Sequence, residues 1–166
     1  MKYLIPVDSS QAALMPIAHL EGAARRGEDI EAVILNVQPR LNRHISRFTR
    51  KADRDALRLE RSRAAMAGAI ERLSRARIPH RALTEVGSPA ERIAAVAEAE
   101  QVDEILMGVG RHPQWLRWLN PSVARSVIAR TGVPVAVMAH GEENPFERYV
   151  VPVGIAGLAA LLIAAD

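Results

Sequence analysis

The sequence predicts an α/β fold, an open and mostly parallel sheet with helices on both faces. Five short apolar runs, KYLIPV, EAVILNV, ALTEVG, DEILMG and VPVAVM, have the length and composition of buried strands. The segments between them read as helices, and Gly, Pro and Ser punctuate the joints. Strand and helix therefore alternate, which implies right-handed crossovers and parallel pairing. Ligands of such sheets bind beyond the carboxyl ends of the strands, near the point where strand order reverses. Asp8, Val37 and Gly108 lie at such ends.

Taken in order, Lys2–Val7 is a buried strand stopped by Asp8-Ser9-Ser10, residues suited to capping a helix. An alanine-rich helix follows from Gln11 to Arg26 and ends before Gly27. Pro16 is awkward inside it, because an interior proline removes a hydrogen bond and kinks the helix. Glu31–Val37 is the second strand. An arginine-rich segment then enters a helix running to about Ile78, with Leu59, Met66, Ile70 and Leu73 as inward positions. After the strand ALTEVG, Gly87-Ser88-Pro89 opens a helix with serine as cap and proline in the first turn. DEILMG is the fourth strand, SVARSVIAR a helix, and Gly132 breaks into the fifth strand, VPVAVM.

With 166 residues, 49% of them hydrophobic and 25% charged, the chain is expected to hold one domain with a real core. The absence of cysteine excludes disulfides, thiolate zinc sites and cysteine nucleophiles. MKYLIPVDSS lacks the apolar core of a signal peptide, so the expected location is the cytoplasm. The net charge of +3 rests almost wholly on arginine, much of it between Arg40 and Arg63. Asp53, Asp55 and Glu60 are interleaved there at helical spacing, which reads as a solvated helix face. A phosphate-backbone contact is the alternative, but no nucleic-acid-binding motif accompanies the stripe.

The carboxyl-terminal region carries an internal echo. RYVVPVGIAGLAALLIAAD aligns with KYLIPVDSSQAALMPIAHL without gaps, at a constant offset of 146. Lys2 meets Arg148, Tyr3 meets Tyr149, Pro6 meets Pro152, Val7 meets Val153 and Ile17 meets Ile163. The expected organisation is a domain over 1–140, a linker over 141–147, and a truncated repeat of the first strand and helix over 148–166. A membrane anchor is the competing reading of this apolar tail, which is short of the ~20 residues a spanning helix needs and is broken by Pro152, Gly154 and Gly157. Gly154 stands where the first copy has Asp8, so the tail lacks that polar contact. An extra strand at a sheet edge also offers a route to dimerisation.

From about Lys2 to Met138 the chain resembles the universal stress protein family. The resemblance is carried by the strand ending PVDSS, the strand ending LNV, the block VGSPAERIAAVAEAEQVDEILMG, and the closing SVARSVIARTGVPVAVM. It implies a five-stranded parallel sheet in the order 3-2-1-4-5 and a homodimer formed through the last strand, Val133–Met138. Many members bind ATP. The resemblance then implies a nucleotide site of Pro6 and Asp8 after the first strand, Val37 after the second, and Met107 and Gly108 after the fourth. Arg111 in the following loop, with Ser122 and Val123 at the opening of the last helix, would complete it.

The family's phosphate loop has the pattern G-x2-G-x9-G-[ST], because backbone amides must reach phosphate without a Cβ in the way. Mapped from Gly108, the hydroxyl falls on Ser122, but the second glycine falls on Arg111 and the third on Pro121. Proline has no N–H, and arginine is disfavoured wherever φ must be positive. The site is therefore expected to be degenerate. Arg111, His112, Arg117 and Arg125 offer a rescue through guanidinium–phosphate contacts, or else they are solvated. Trp115 and Trp118, three residues apart, serve core or interface packing, with purine stacking as the alternative.

No nucleophile elbow, Walker lysine or metal-ligand spacing is present, so no catalytic residue and no metal are assigned. The expectation is a non-enzymatic binding or regulatory module of the stress response, with no cofactor and an unidentified protein partner. An ATP or AMP switch using Asp8 and the Gly108–Ser122 loop is the alternative. Nucleic acid and membrane are not expected partners.

Overall fold

The computed structural model describes residues 1–38, 51–110, 121–139 and 149–151. The elements are β1 (Lys2–Pro6), a 3-10 turn (Ala12–Leu14), α1 (Met15–Arg25), β2 (Glu31–Gln38), α2 (Lys51–Arg75), β3 (His80–Val86), α3 (Pro89–Ala99), β4 (Glu104–Val109), α4 (Pro121–Ile128), β5 (Val135–Ala139) and β6 (Tyr149–Val151). The five expected strands form a parallel sheet in the order 3-2-1-4-5, and β6 adds an antiparallel sixth strand beside β5. α1 packs on α2, and α3 on α4. Strand order reverses between β1 and β4, which pair through Tyr3–Glu104 and Leu4–Ile105.

β1, β2 and β4 read as unbroken apolar runs because helices cover the sheet. Leu4, Ile5, Val33, Ile34, Leu35, Ile105, Leu106 and Met107 are fully buried, facing Ile17, Leu20, Leu73 and Ile93 from the helices. Burying one such side chain contributes about 1.5–3 kcal/mol, so this cluster is the main source of stability. β3 is a more exposed edge strand, with Thr84 tied to the buried Ser62 of α2 at 2.6 Å.

Three expectations need correction. Pro16 does not kink a helix: the segment divides there, a 3-10 turn ends at Leu14, and Pro16 sits in the first turn of α1, where no N–H is required. Leu59 is not inward but 44% exposed. α2 runs 25 residues and its buried positions begin only at Ser62, so its first turns are largely solvated. Ser88 takes the N-cap position before α3 in extended conformation, yet its side chain makes no capping bond. Gly27 does end α1 as expected, at a φ of 83°.

Tyr149–Val151 forms a strand, as does its counterpart Tyr3–Ile5, but it runs antiparallel at the sheet's far edge. It covers the outer side of β5, where pairing with a second copy was expected. The rest of the tail lies outside the described residues, as do Arg40–Arg50 of the arginine stripe, Trp115 and Trp118. Among the described residues, no helix is long and apolar enough to cross a membrane.

Candidate functional site

At the carboxyl ends of β1 and β2, polar groups satisfy one another. Val7 N donates to Leu35 O at 2.8 Å, which extends the ladder by one residue before the chain turns away. Asp8 is only 6% exposed, and its Oδ1 accepts from Ser10 N at 2.8 Å. Ser10 Oγ in turn accepts from Ala13 N at 3.2 Å, so the serine caps the 3-10 turn. Asn36, 1% exposed, donates from Nδ2 to Val7 O at 2.8 Å. Gln38 Nε2 donates to Asn36 Oδ1 at 2.6 Å, and Gly87 N to Gln38 O at 3.0 Å. This line of bonds joins the ends of β1, β2 and β3. Ser10 was legible as a capping residue, but sequence reasoning missed Asn36 and Gln38 as members; the signal was an amide side chain inside the otherwise apolar strand EAVILNVQ.

The end of β4 is closed sterically. A Cβ on Gly108 would overlap the carbonyl oxygen of Ala12, standing 2.7 Å from its carbon and 3.1 Å from Pro16 Cδ. The 3-10 turn therefore lies directly against β4, and only glycine admits that approach. α2 holds the turn from the other side. Arg72 Nε and Nη2 donate to the two carboxylate oxygens of Glu21 at 2.9 and 2.6 Å, and Nη1 makes a longer 3.5 Å contact with Leu14 O. The hydrogen bonds from Arg72 hold the Glu21 carboxyl below its ordinary value of 4.5, against the opposing effect of partial burial. They raise the Arg72 pKa correspondingly.

Pro6, Asp8, Val37, Met107 and Gly108 thus gather at the carboxyl ends of neighbouring strands, all of them buried. Val37 and Met107 are fully enclosed in the core, so their side chains fill the interior, not a cleft. Ser122 is exposed and Val123 half-buried in the opening turn of α4. Pro121 is the first residue of that helix, where proline is favoured and where it withholds an N–H from the helix terminus. Arg111, His112 and Arg117 lie outside the described residues. No group of His, Asp and Glu able to hold a metal occurs among the described residues.

Residues 1–139 match the model of the universal stress protein family. The chain belongs to the universal stress protein family. No curated protein matches it. Among solved structures it is similar to the hypothetical protein MJ0577, at 26% identity and a TM-score of 0.68, over 86% of this chain and 97% of that one. It is also similar in fold to a universal stress protein family member from Burkholderia pseudomallei, at 23% identity and a TM-score of 0.61, over 82% of this chain and 94% of that one. A third is a universal stress protein from Arabidopsis thaliana with AMP bound, at 12% identity and a TM-score of 0.63, over 86% and 94% of the two chains.

Proposed function

We propose that this universal stress protein is a non-enzymatic, cytoplasmic binding and regulatory module of the stress response whose nucleotide site is degenerate. One observation carries the reading. Gly108, the only glycine of the phosphate pattern kept in register, has its missing Cβ accounted for by the carbonyl of Ala12. Packing alone requires that glycine, so its presence does not speak for phosphate. The other two glycines of the pattern are replaced by Arg111, whose Cβ disfavours a positive φ, and by Pro121, which has no N–H to offer a phosphate. Asp8 is engaged in the turn that leads to Ala12. The working ligand is then a protein partner.

A nucleotide switch is the second reading. It is favoured by the retention of Asp8 and by the AMP bound to the Arabidopsis relative. Isothermal titration of the chain with ATP and with AMP, with and without magnesium, separates the two. The degenerate-site reading expects no saturable heat. Saturable binding that Asp8→Ala abolishes would establish the switch.

A further inference from the structure

β5 is the last of the parallel strands, and an uncovered last strand presents a row of unpaired N–H and C=O groups to any other chain. Here β6 lies on that row, with Val135 opposite Val151, Ala136 opposite Val150, and Val137 opposite Tyr149. The direction of this pairing matters. Two copies of one chain that join β5 to β5 about a two-fold axis pair antiparallel. β6 therefore occupies both the place and the direction of a second copy's β5. The two segments are also alike in chemistry, since VAVMA and YVV carry no charge and are rich in strand-forming residues.

Two magnitudes decide which partner wins. β6 covers three residues of a five-residue strand, so its ladder is short and its local opening easy. A second copy could pair along all of β5 and would gain more from each encounter. Against this, β6 is tethered by only the residues numbered 140–148, and a short tether gives an effective concentration of order millimolar. At micromolar protein that is an advantage of about a thousandfold over an equally strong free strand. The tethered strand holds the edge until something displaces it.

We propose that β6 is a built-in cap on a strand-pairing edge, and that the partner it excludes is a second copy of this chain pairing β5 with β5. Static light scattering on the full chain, beside full-length Val150→Pro and Val150→Gly, tests it. Proline has no N–H and fixes φ, while glycine only lowers strand preference, and far-UV circular dichroism checks the fold of each. The native chain is expected to be a monomer at micromolar concentration, with the proline variant dimeric and the glycine variant shifted the same way to a smaller extent. A native dimer that Val150→Pro turns into monomers would overturn the proposal, because β6 would then be an exchanged arm. An oligomeric state unchanged by both substitutions would overturn it too. So would loss of fold in both variants, since β6 would then be part of the sheet's foundation and no displaceable cap.

Discussion

The carboxyl ends of β1 and β2 and the carboxyl end of β4 are neighbours in one sheet, yet they are closed by different forces. At β1 and β2 the closure is polar: Asp8 holds the Ser10 amide, Asn36 holds Val7, and Gln38 holds Asn36. At β4 it is steric, with the backbone of Ala12 resting where any side chain on Gly108 would begin. Hydrogen bonds can be exchanged for bonds to a ligand at small net cost, because each contributes only about 1 kcal/mol. An overlap with a backbone carbonyl cannot be exchanged. The two ends thus differ in what they could admit: the first could rearrange around a guest, and the second only by moving the 3-10 turn and α1.

The substitution with the largest expected effect strikes the steric end. Gly108→Ala should cost about 3 kcal/mol or more in urea unfolding, since the turn or the strand must shift to relieve it. A loss under about 1 kcal/mol would mean the turn yields easily, and the contrast would fail. At the polar end, Asn36→Ala leaves the buried Val7 carbonyl without its amide partner and should cost about 2 kcal/mol. Glu21→Gln loosens the Arg72 clasp behind the turn, and its ends are partly solvated, so about 1 kcal/mol is expected at neutral pH. The Glu21 pKa is depressed on folding, so its contribution is complete above the ordinary value of 4.5 and fades as pH falls through the lowered one. The stability gap between native and variant should therefore close in acid, and a gap independent of pH would remove the charge from the account. Least affected is Leu59→Ser on the solvated part of α2, within about 0.5 kcal/mol of native, whereas Leu73→Ala in the same helix should cost about 2–5 kcal/mol.

The sheet was legible in the sequence because buried parallel strands are short apolar runs, and their alternation with helices leaves few topologies. Helical spacing marked Met66 and Leu73 correctly, but it reports which face a residue is on and not whether that face is covered. Leu59 lies at helical spacing from the buried positions and is still 44% exposed. The division of the first helix before Pro16 follows proline's preference for a first turn, a local signal that the alanine-rich run around it concealed. Gly108 was legible as a place of close backbone approach, yet a glycine looks the same whether a phosphate or a neighbouring carbonyl approaches it. Asn36 and Gln38 escaped notice because their partners are backbone and side-chain groups at strand ends that meet only in the fold. The echo at Tyr149 foretold a strand, but not that it would run against β5.

We propose that the residues at two pattern positions, Arg111 and Pro121, are what withhold nucleotide from this chain. The direct measurement is isothermal titration with ATP and magnesium of the native chain beside Arg111→Gly/Pro121→Gly. No binding by the native chain and saturable binding by the variant are expected, because the two substitutions free φ at position 111 and return an N–H at position 121. Saturable binding by the native chain, lost in Asp8→Ala, would contradict it.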